Sequence, residues 1–288
     1  MPDPTESVII ATFSAALCAF VLAAVVRYPF GEKPVAGAEA GPPELPTGRV
    51  ATHLYRPLDL LAIGFILVVF FGLVIASVRA GSKAEMELGY AALLQSIVFQ
   101  FGVAGIATLM VVPRIRVSEW LGLKWPAWHW IFLIAPITVV AMWIFFGGLQ
   151  ASGYMKWIES FGVETVQDTV KIFQKSSNPI VLGLMAFAAI VVAPLCEEIV
   201  FRGYLYPVMK KFSGPWVAGV CSALIFAAAH GSLVALLPLF VFGCVLVFIY
   251  EKTGSLWAPI AVHFCFNAAT IMIQMAVRYL DLPLDVAP

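Results

Sequence analysis

Eight stretches of the chain are nearly unbroken apolar runs: Val8–Val26, Leu58–Val78, Leu88–Val112, Trp128–Leu149, Pro179–Cys196, Trp216–Ala229, Leu233–Tyr250 and Leu256–Val277. A helix needs about 20 such residues to cross the hydrocarbon core of a bilayer. Backbone polar groups in lipid must bond within their own segment, which helices achieve. The pattern predicts an all-α, polytopic membrane bundle of about eight transmembrane helices. The sixth run is short on its own, and Gly231-Ser232 marks a tight turn between it and an antiparallel seventh. The two halves of the chain show no repeat of one another.

Polar positions fall mostly between the runs. Arg27 to Pro57 is rich in Pro, Gly, Ala and Glu and reads as a mobile linker. Tyr154–Ser177 interleaves Lys156, Glu159, Glu164, Asp168, Lys171 and Lys175 with Ile158, Phe161, Val163, Val166, Val170, Ile172 and Phe173. That alternation predicts an amphipathic helix at the membrane surface. Four parts follow: 1–57, a first helix and linker; 58–178, membrane helices with the interfacial segment; 179–277, a bundle carrying the chemistry; and 278–288, a tail. Arg27, Lys33, Arg49, Arg56, Arg114, Arg116, Lys124, Lys210, Lys211 and Lys252 lie on one side of this arrangement. Arg79, Lys83, Lys156, Lys171, Lys175 and Arg278 lie on the other. The excess predicts a cytoplasmic first set, with both termini outside.

Composition agrees. Of 288 residues 61% are hydrophobic and 12% charged, against about 25% charged in ordinary soluble domains. The 17 basic and 17 acidic residues cancel, so no electropositive surface for nucleic acid is expected. A multi-pass membrane protein is expected, in the plasma or inner membrane of a bacterial host. Cys18, Cys196, Cys221, Cys244 and Cys265 include no CxxC pair and read as buried thiols. The N-terminal MPDPTES lacks Lys and Arg, so the first run is expected to be a retained helix and not a cleaved leader. Trp120, Trp125, Trp128 and Trp130 are expected to form an interfacial aromatic belt.

Ionisable groups inside spans are expensive, at about 2.5–3.5 kcal/mol each on insertion scales. Those present cluster in the last hundred residues: Glu197, Glu198 and Arg202 in EEIVFRG, His230 in FAAAH, and His263 with Asn267 in HFCFN. Glu198 and Arg202 are four apart, on one helix face, and suited to pair. Glu197 is turned from Glu198 by about 100° and is expected to face the bundle centre. Pro194 should kink or open the helix nearby. Phe226 shares a face with His230, and His263 shares one with Asn267. One carboxylate, two imidazoles and one amide then look inward. A carboxylate among helices can act as general base, a histidine can hold the water, and a second histidine with an amide can stabilise an oxyanion. Ser222 and Cys265 lie close in sequence, but no motif presents either as a nucleophile. Water-mediated peptide hydrolysis within the membrane follows.

These three motifs, in this order, resemble the EExxxR, FxxxH and HxxxN motifs of the CAAX prenyl protease and bacteriocin-processing (CPBP, or Abi) family of intramembrane proteases. The resemblance covers about Pro179 to Gln274. It implies that Glu197 and His230 activate the water and that His263 and Asn267 hold the oxyanion. Glu198 and Arg202, with Phe226, would be structural support. No metal cofactor is expected; a zinc ion on Glu197, His230 and His263 is the alternative. The implied substrate is a membrane-associated peptide or lipidated protein met in the lipid bilayer, through CAAX-type or bacteriocin-type processing. The competing reading is a non-catalytic scaffold or immunity protein, or a proton-linked transporter, using the same polar cluster for packing or ion passage.

Overall fold

A computed structural model describes residues 3–30, 49–81, 90–123, 125–163, 168–176 and 178–280. Residues 31–48 of the expected linker, Lys33, Lys83, Lys124, Glu164, Val166 and the tail from 281 onward lie outside the described residues. The apolar runs become α1 (Pro4–Phe30), α2 (Pro57–Gly81), α3 (Tyr90–Val111) and α4 (Ile131–Ala151). Two short helices follow, α5 (Tyr154–Glu159) and α6 (Asp168–Lys175). The remainder comprises α7 (Pro179–Ser213), α8 (Pro215–Ala228), α9 (Leu233–Thr253) and α10 (Trp257–Tyr279). Among the described residues there is no strand, and seven helices are long and apolar enough to cross a membrane. The sixth expected run, α8, has only 14 residues. The protein is a multi-pass membrane protein.

Local signals explain the starts. Asp3 Oδ1 accepts from the Thr5 amide at 2.8 Å ahead of α1, and Asn178 Oδ1 accepts from Ile180 and Val181 ahead of α7. Ser232 Oγ caps α9 by accepting from Ala235 at 3.3 Å. Each satisfies amides that the first helical turn leaves open.

Three expectations change. The fifth run was expected to end at Cys196, but α7 continues as one run of 35 residues to Ser213. It passes both Pro194 and Pro207 by widening into π turns at Ala188–Val192 and Ile199–Leu205. There the Ala193 N–H reaches Ala188 O and the Tyr206 N–H reaches Phe201 O, each five residues back. A wider turn accommodates a ring that an α-helix would reject. Secondly, the interfacial segment is two helices instead of one; Gly162 ends the first part with a φ of 76°, where a glycine carries no Cβ penalty. Thirdly, Trp120 is not in the aromatic belt. It is buried, and its Nε1–H donates to Gly203 O at 3.0 Å. Trp128 and Trp130 do remain exposed. Gly203 O also accepts from Tyr55 at 2.7 Å; its helical donor four residues on would be Pro207, which has no N–H.

Among the described residues, the two sets of basic residues separate to opposite ends. At one end Lys210 donates to Val50 O and Glu251, Lys211 to Tyr55 O, and Arg114 to Leu54 O. Asp59, in the first turn of α2, is fully buried there. It accepts from Arg114 at 2.6 Å, from Tyr204 at 2.9 Å and from the Arg56 amide. At the other end Arg79 pairs with Glu6 at 2.6 Å. Arg278 there donates to the carbonyls of Phe173, Gln174 and Ser176, at and just after the end of α6. Also at that end, α5 is tied to the start of α9. Ile158 packs on Leu233 and Val234, and Tyr154 donates to their carbonyls at 3.4 and 3.3 Å. Burial raises the Tyr154 pKa, so it stays a hydroxyl donor.

The core sits where α7 meets α3, α8, α9 and α10. Helices α8 and α9 form the tight antiparallel pair that Gly231-Ser232 predicted. Gly243 sets their spacing, because a Cβ there would lie 3.0 Å from that of Ala223 and 3.3 Å from Phe226.

Candidate active site

The middle of α7 carries Glu197 and Glu198 into this core, on the α turn between the two π turns. The neighbouring carboxylates diverge as their angular separation requires. Glu198 is fully buried, and its Oε1 accepts from Arg202 NH1 at 2.8 Å. The expected ion pair is therefore present. Arg202 donates in addition to Gly243 O at 3.2 Å and lies 4.3 Å from the Phe226 ring centre. That stacking gives Phe226 a concrete role, since a guanidinium is attracted to an aromatic face. Phe226 also meets the His230 ring edge-on at 4.9 Å and the His263 ring at 6.0 Å.

Sequence reasoning missed the second partner of Glu198. Its Oε1 also lies 2.9 Å from His263 Nδ1. A carboxylate oxygen that already takes an Arg202 hydrogen is an acceptor, so Nδ1 carries the proton and donates. The available signal was stoichiometric: a carboxylate offers about four lone-pair sites, and a buried imidazole needs a partner for each nitrogen. On α8's C-terminal turn, His230 Nδ1 is 2.8 Å from Phe226 O. A carbonyl can only accept, so this nitrogen also donates.

Both rings consequently turn Nε2 toward the same atom. Glu197 Oε2 lies 3.9 Å from His230 Nε2 and 4.0 Å from His263 Nε2. That oxygen is enclosed and has no hydrogen-bond partner among the described residues. The Glu197 and His230 side chains as wholes keep 22% and 32% exposure, while His263 keeps 4%. The structure thus brings Glu197, His230 and His263 together. Asn267 comes to the same helix, but its Nδ2 donates to the backbone carbonyl of Ala189 at 2.7 Å.

The candidate zinc set can be tested on these distances. Zinc–nitrogen and zinc–oxygen bonds of about 2.0–2.1 Å in a tetrahedron place ligand atoms about 3.3–3.4 Å apart. The separations of 3.9 and 4.0 Å are wider than that. Among the described residues no three His, Cys, Asp or Glu side chains are arranged to hold a metal. The set does not fit zinc in this arrangement.

Residues 179–269 match the family described as Type II CAAX prenyl endopeptidase Rce1-like. This segment is similar to that family. It holds all three motifs and every residue of the cluster, as the motif resemblance implied. Two Bacillus subtilis (strain 168) proteins are similar to the chain. One is named "Putative membrane peptidase YdiL", 30% identical over 92 residues, covering 32% of this chain and 38% of that protein. The other is named "Uncharacterized protein YpbD", 33% identical over 118 residues, covering 40% of this chain and 56% of that protein. The chain thus spans about two-fifths and just over half of the lengths of these relatives. No solved structure matches it at a significant level. Helices α1 to α4 lie outside the matched segment, yet α3 packs along α7 and α2 supplies the buried Asp59.

Proposed function

We propose that the chain is an intramembrane peptidase in which Glu197 activates a water to hydrolyse a peptide bond brought to the Rce1-like cluster. One observation carries the reading: an enclosed carboxylate oxygen without a hydrogen bond faces two imidazole nitrogens at about 4 Å. A water about 2.8 Å from each of two such atoms would subtend about 90° between them, within the range hydrogen bonding tolerates. The Rce1-like match and the word peptidase in one relative's name support the same class.

Proton counting assigns the roles. Glu197 Oε2 and the two Nε2 atoms are three acceptors, and a water has two hydrogens. One further proton is therefore needed among the three groups. Charge gives the same count. Glu198 and Arg202 cancel, and a net charge inside a bilayer is costly, so Glu197 is balanced by one imidazolium. His263 is the better placed, because Glu198 stands 2.9 Å behind its Nδ1. Its Nε2–H then donates to the oxyanion, while neutral His230 accepts a hydrogen from the water through Nε2. Glu197 takes the other water hydrogen as the oxygen attacks the carbonyl carbon. The carbonyl oxygen becomes the oxyanion facing His263. Collapse breaks the C–N bond, and the proton on Glu197 passes to the leaving amine. Charge stabilisation of this kind is usually the largest single contribution in acyl hydrolysis. Zinc has no step in this scheme.

The substrate class follows from the setting and the resemblance: a membrane-associated peptide or a lipidated protein, with CAAX-type processing as the specific case. New peptide termini compared in a host carrying the wild type or Glu197→Gln, at matched protein levels, test both parts. Termini found only with the wild type identify a peptidase and its substrates. Loss of a C-terminal tripeptide after a lipidated cysteine identifies CAAX-type processing. Identical termini in both strains would leave the scaffold reading.

A further inference from the structure

Pro194 lies three residues before Glu197 and has no N–H to donate. The carbonyl of Ala189 has two ordinary donors within a helix: residue 193 in an α turn and residue 194 in a π turn. Here the Ala193 N–H is committed to Ala188 O, and residue 194 is the proline. Neither donor is open to Ala189 O. Asn267 Nδ2, from α10, donates to it instead at 2.7 Å. Lipid offers no substitute for such a bond, and a buried polar group left unpaired is costly.

We infer that Asn267 is a positioning residue: its amide holds the carbonyl that Pro194 deprives of a helical partner, and so fixes the turn bearing Glu197 and Glu198 against α10. Helix α10 also supplies His263, one turn earlier than Asn267. The same clamp therefore sets the 4.0 Å approach of His263 Nε2 to Glu197 Oε2. Its catalytic consequence rests on the peptidase reading; its structural part does not. On the other side of the motif turn the logic repeats. There Pro207 leaves Gly203 O without its α-helical donor, and Tyr55 and Trp120 supply two. The Glu-Glu turn is thus held at both of its π borders by side chains from other elements.

The test removes the cause as well as the clamp. Asn267→Leu deletes the amide while keeping the branched side-chain shape. Pro194→Ala restores a backbone N–H at the position from which a π turn reaches Ala189 O. In the full-length protein in detergent micelles, Asn267→Leu is expected to lower the unfolding midpoint by about 2–6 °C and to reduce cleavage at least tenfold. Pro194→Ala alone should keep both near wild type, and Pro194→Ala with Asn267→Leu should regain most of both losses. Pro194→Leu restores the same N–H with a larger side chain and separates the regained bond from any loosening by alanine. The inference is overturned if neither proline replacement rescues Asn267→Leu. It is equally overturned if Asn267→Leu abolishes cleavage with no change in midpoint, since the amide then acts on the substrate. The unfolding measurement needs no substrate. A wild-type protein that cleaves nothing would refute the peptidase reading and leave the clamp to be judged on the midpoints.

Discussion

Adjacent residues Glu197 and Glu198 should respond in opposite ways to the same change of one oxygen for NH2. Glu197 Oε2 makes no hydrogen bond among the described residues and its side chain keeps partial exposure. Glu197→Gln therefore removes no stabilising bond, and its effect on stability should stay within about 1 kcal/mol. Glu198 is fully buried and is shared by Arg202 at 2.8 Å and His263 at 2.9 Å. Glu198→Gln leaves the Arg202 guanidinium buried without its counter-charge, and breaking a buried pair from one side costs about 3–5 kcal/mol. A glutamine oxygen can still accept, which places the change near the lower figure. At about 2–4 °C per kcal/mol for a chain of this order of size, the midpoint should fall by about 6–12 °C. For Glu197→Gln the fall should be under about 4 °C.

Activity should separate the pair differently. General-base catalysis contributes about 10²–10⁴ in rate, so folded Glu197→Gln should lose at least that much kcat with little change in KM. The assay is cleavage of a membrane-anchored peptide by purified protein, with unfolding followed on the same preparation. If Glu197→Gln destabilises as much as Glu198→Gln, then Glu197 is a bonded packing residue and the assignment of base and support is wrong. If Glu197→Gln keeps full activity, the general-base role is refuted outright.

Three further outcomes are expected. His230→Gln should cut cleavage about 10²-fold while the unfolding midpoint moves little, because its ring makes one backbone hydrogen bond and stays partly exposed; an unaltered rate refutes its role at the water. Chelator treatment should leave cleavage unchanged, since the separations of 3.9 and 4.0 Å do not fit zinc; activity lost to chelator and regained with added zinc would overturn this. Gly243→Val should cost about 1–3 kcal/mol by overpacking, because even a Cβ meets Ala223 at 3.0 Å and Phe226 at 3.3 Å; an unchanged unfolding midpoint would show that α8 and α9 are not held this closely.

How far the sequence spoke depended on the range of the interaction. Hydropathy is local and additive, so the spans of α1 to α4 and α8 to α10 were legible to within a few residues. The pairing of Glu198 with Arg202 was legible because four-residue spacing on a helix brings side chains together. The bond from His263 to Glu198 was not, since it joins residues 65 apart and no periodicity encodes such a distance. Pro194 was read for what it removes from a helix, which predicted a kink or an opening. A π turn keeps the helix going by giving up one hydrogen-bond register, and only the donors on other helices make that tolerable. Trp120 was misassigned for the same reason: its indole N–H serves Gly203 O, an acceptor that exists because of a proline 87 positions away. Asp59 went unread because Arg114 and Tyr204, the partners that allow its burial, are distant in sequence.

Taken together, these partnerships favour the proposed reactive site over a pure packing device. A cluster that exists only to fix helices in lipid has every reason to satisfy all its polar atoms, because each one left over destabilises the assembly it serves. Most polar atoms of the support residues are satisfied, although Glu198 Oε2, like Glu197 Oε2, has no hydrogen-bond partner among the described residues. Arg202 has a carboxylate, a carbonyl and an aromatic face, Asn267 has the Ala189 carbonyl, and each histidine Nδ1 has a fixed acceptor. What those bonds jointly achieve is to aim two Nε2 atoms at one Glu197 oxygen that bonds to none of them. Glu197 Oε2 is thus the point on which the two imidazoles converge. Such an arrangement suits a molecule with hydrogens to donate, such as a water poised to attack, held between them.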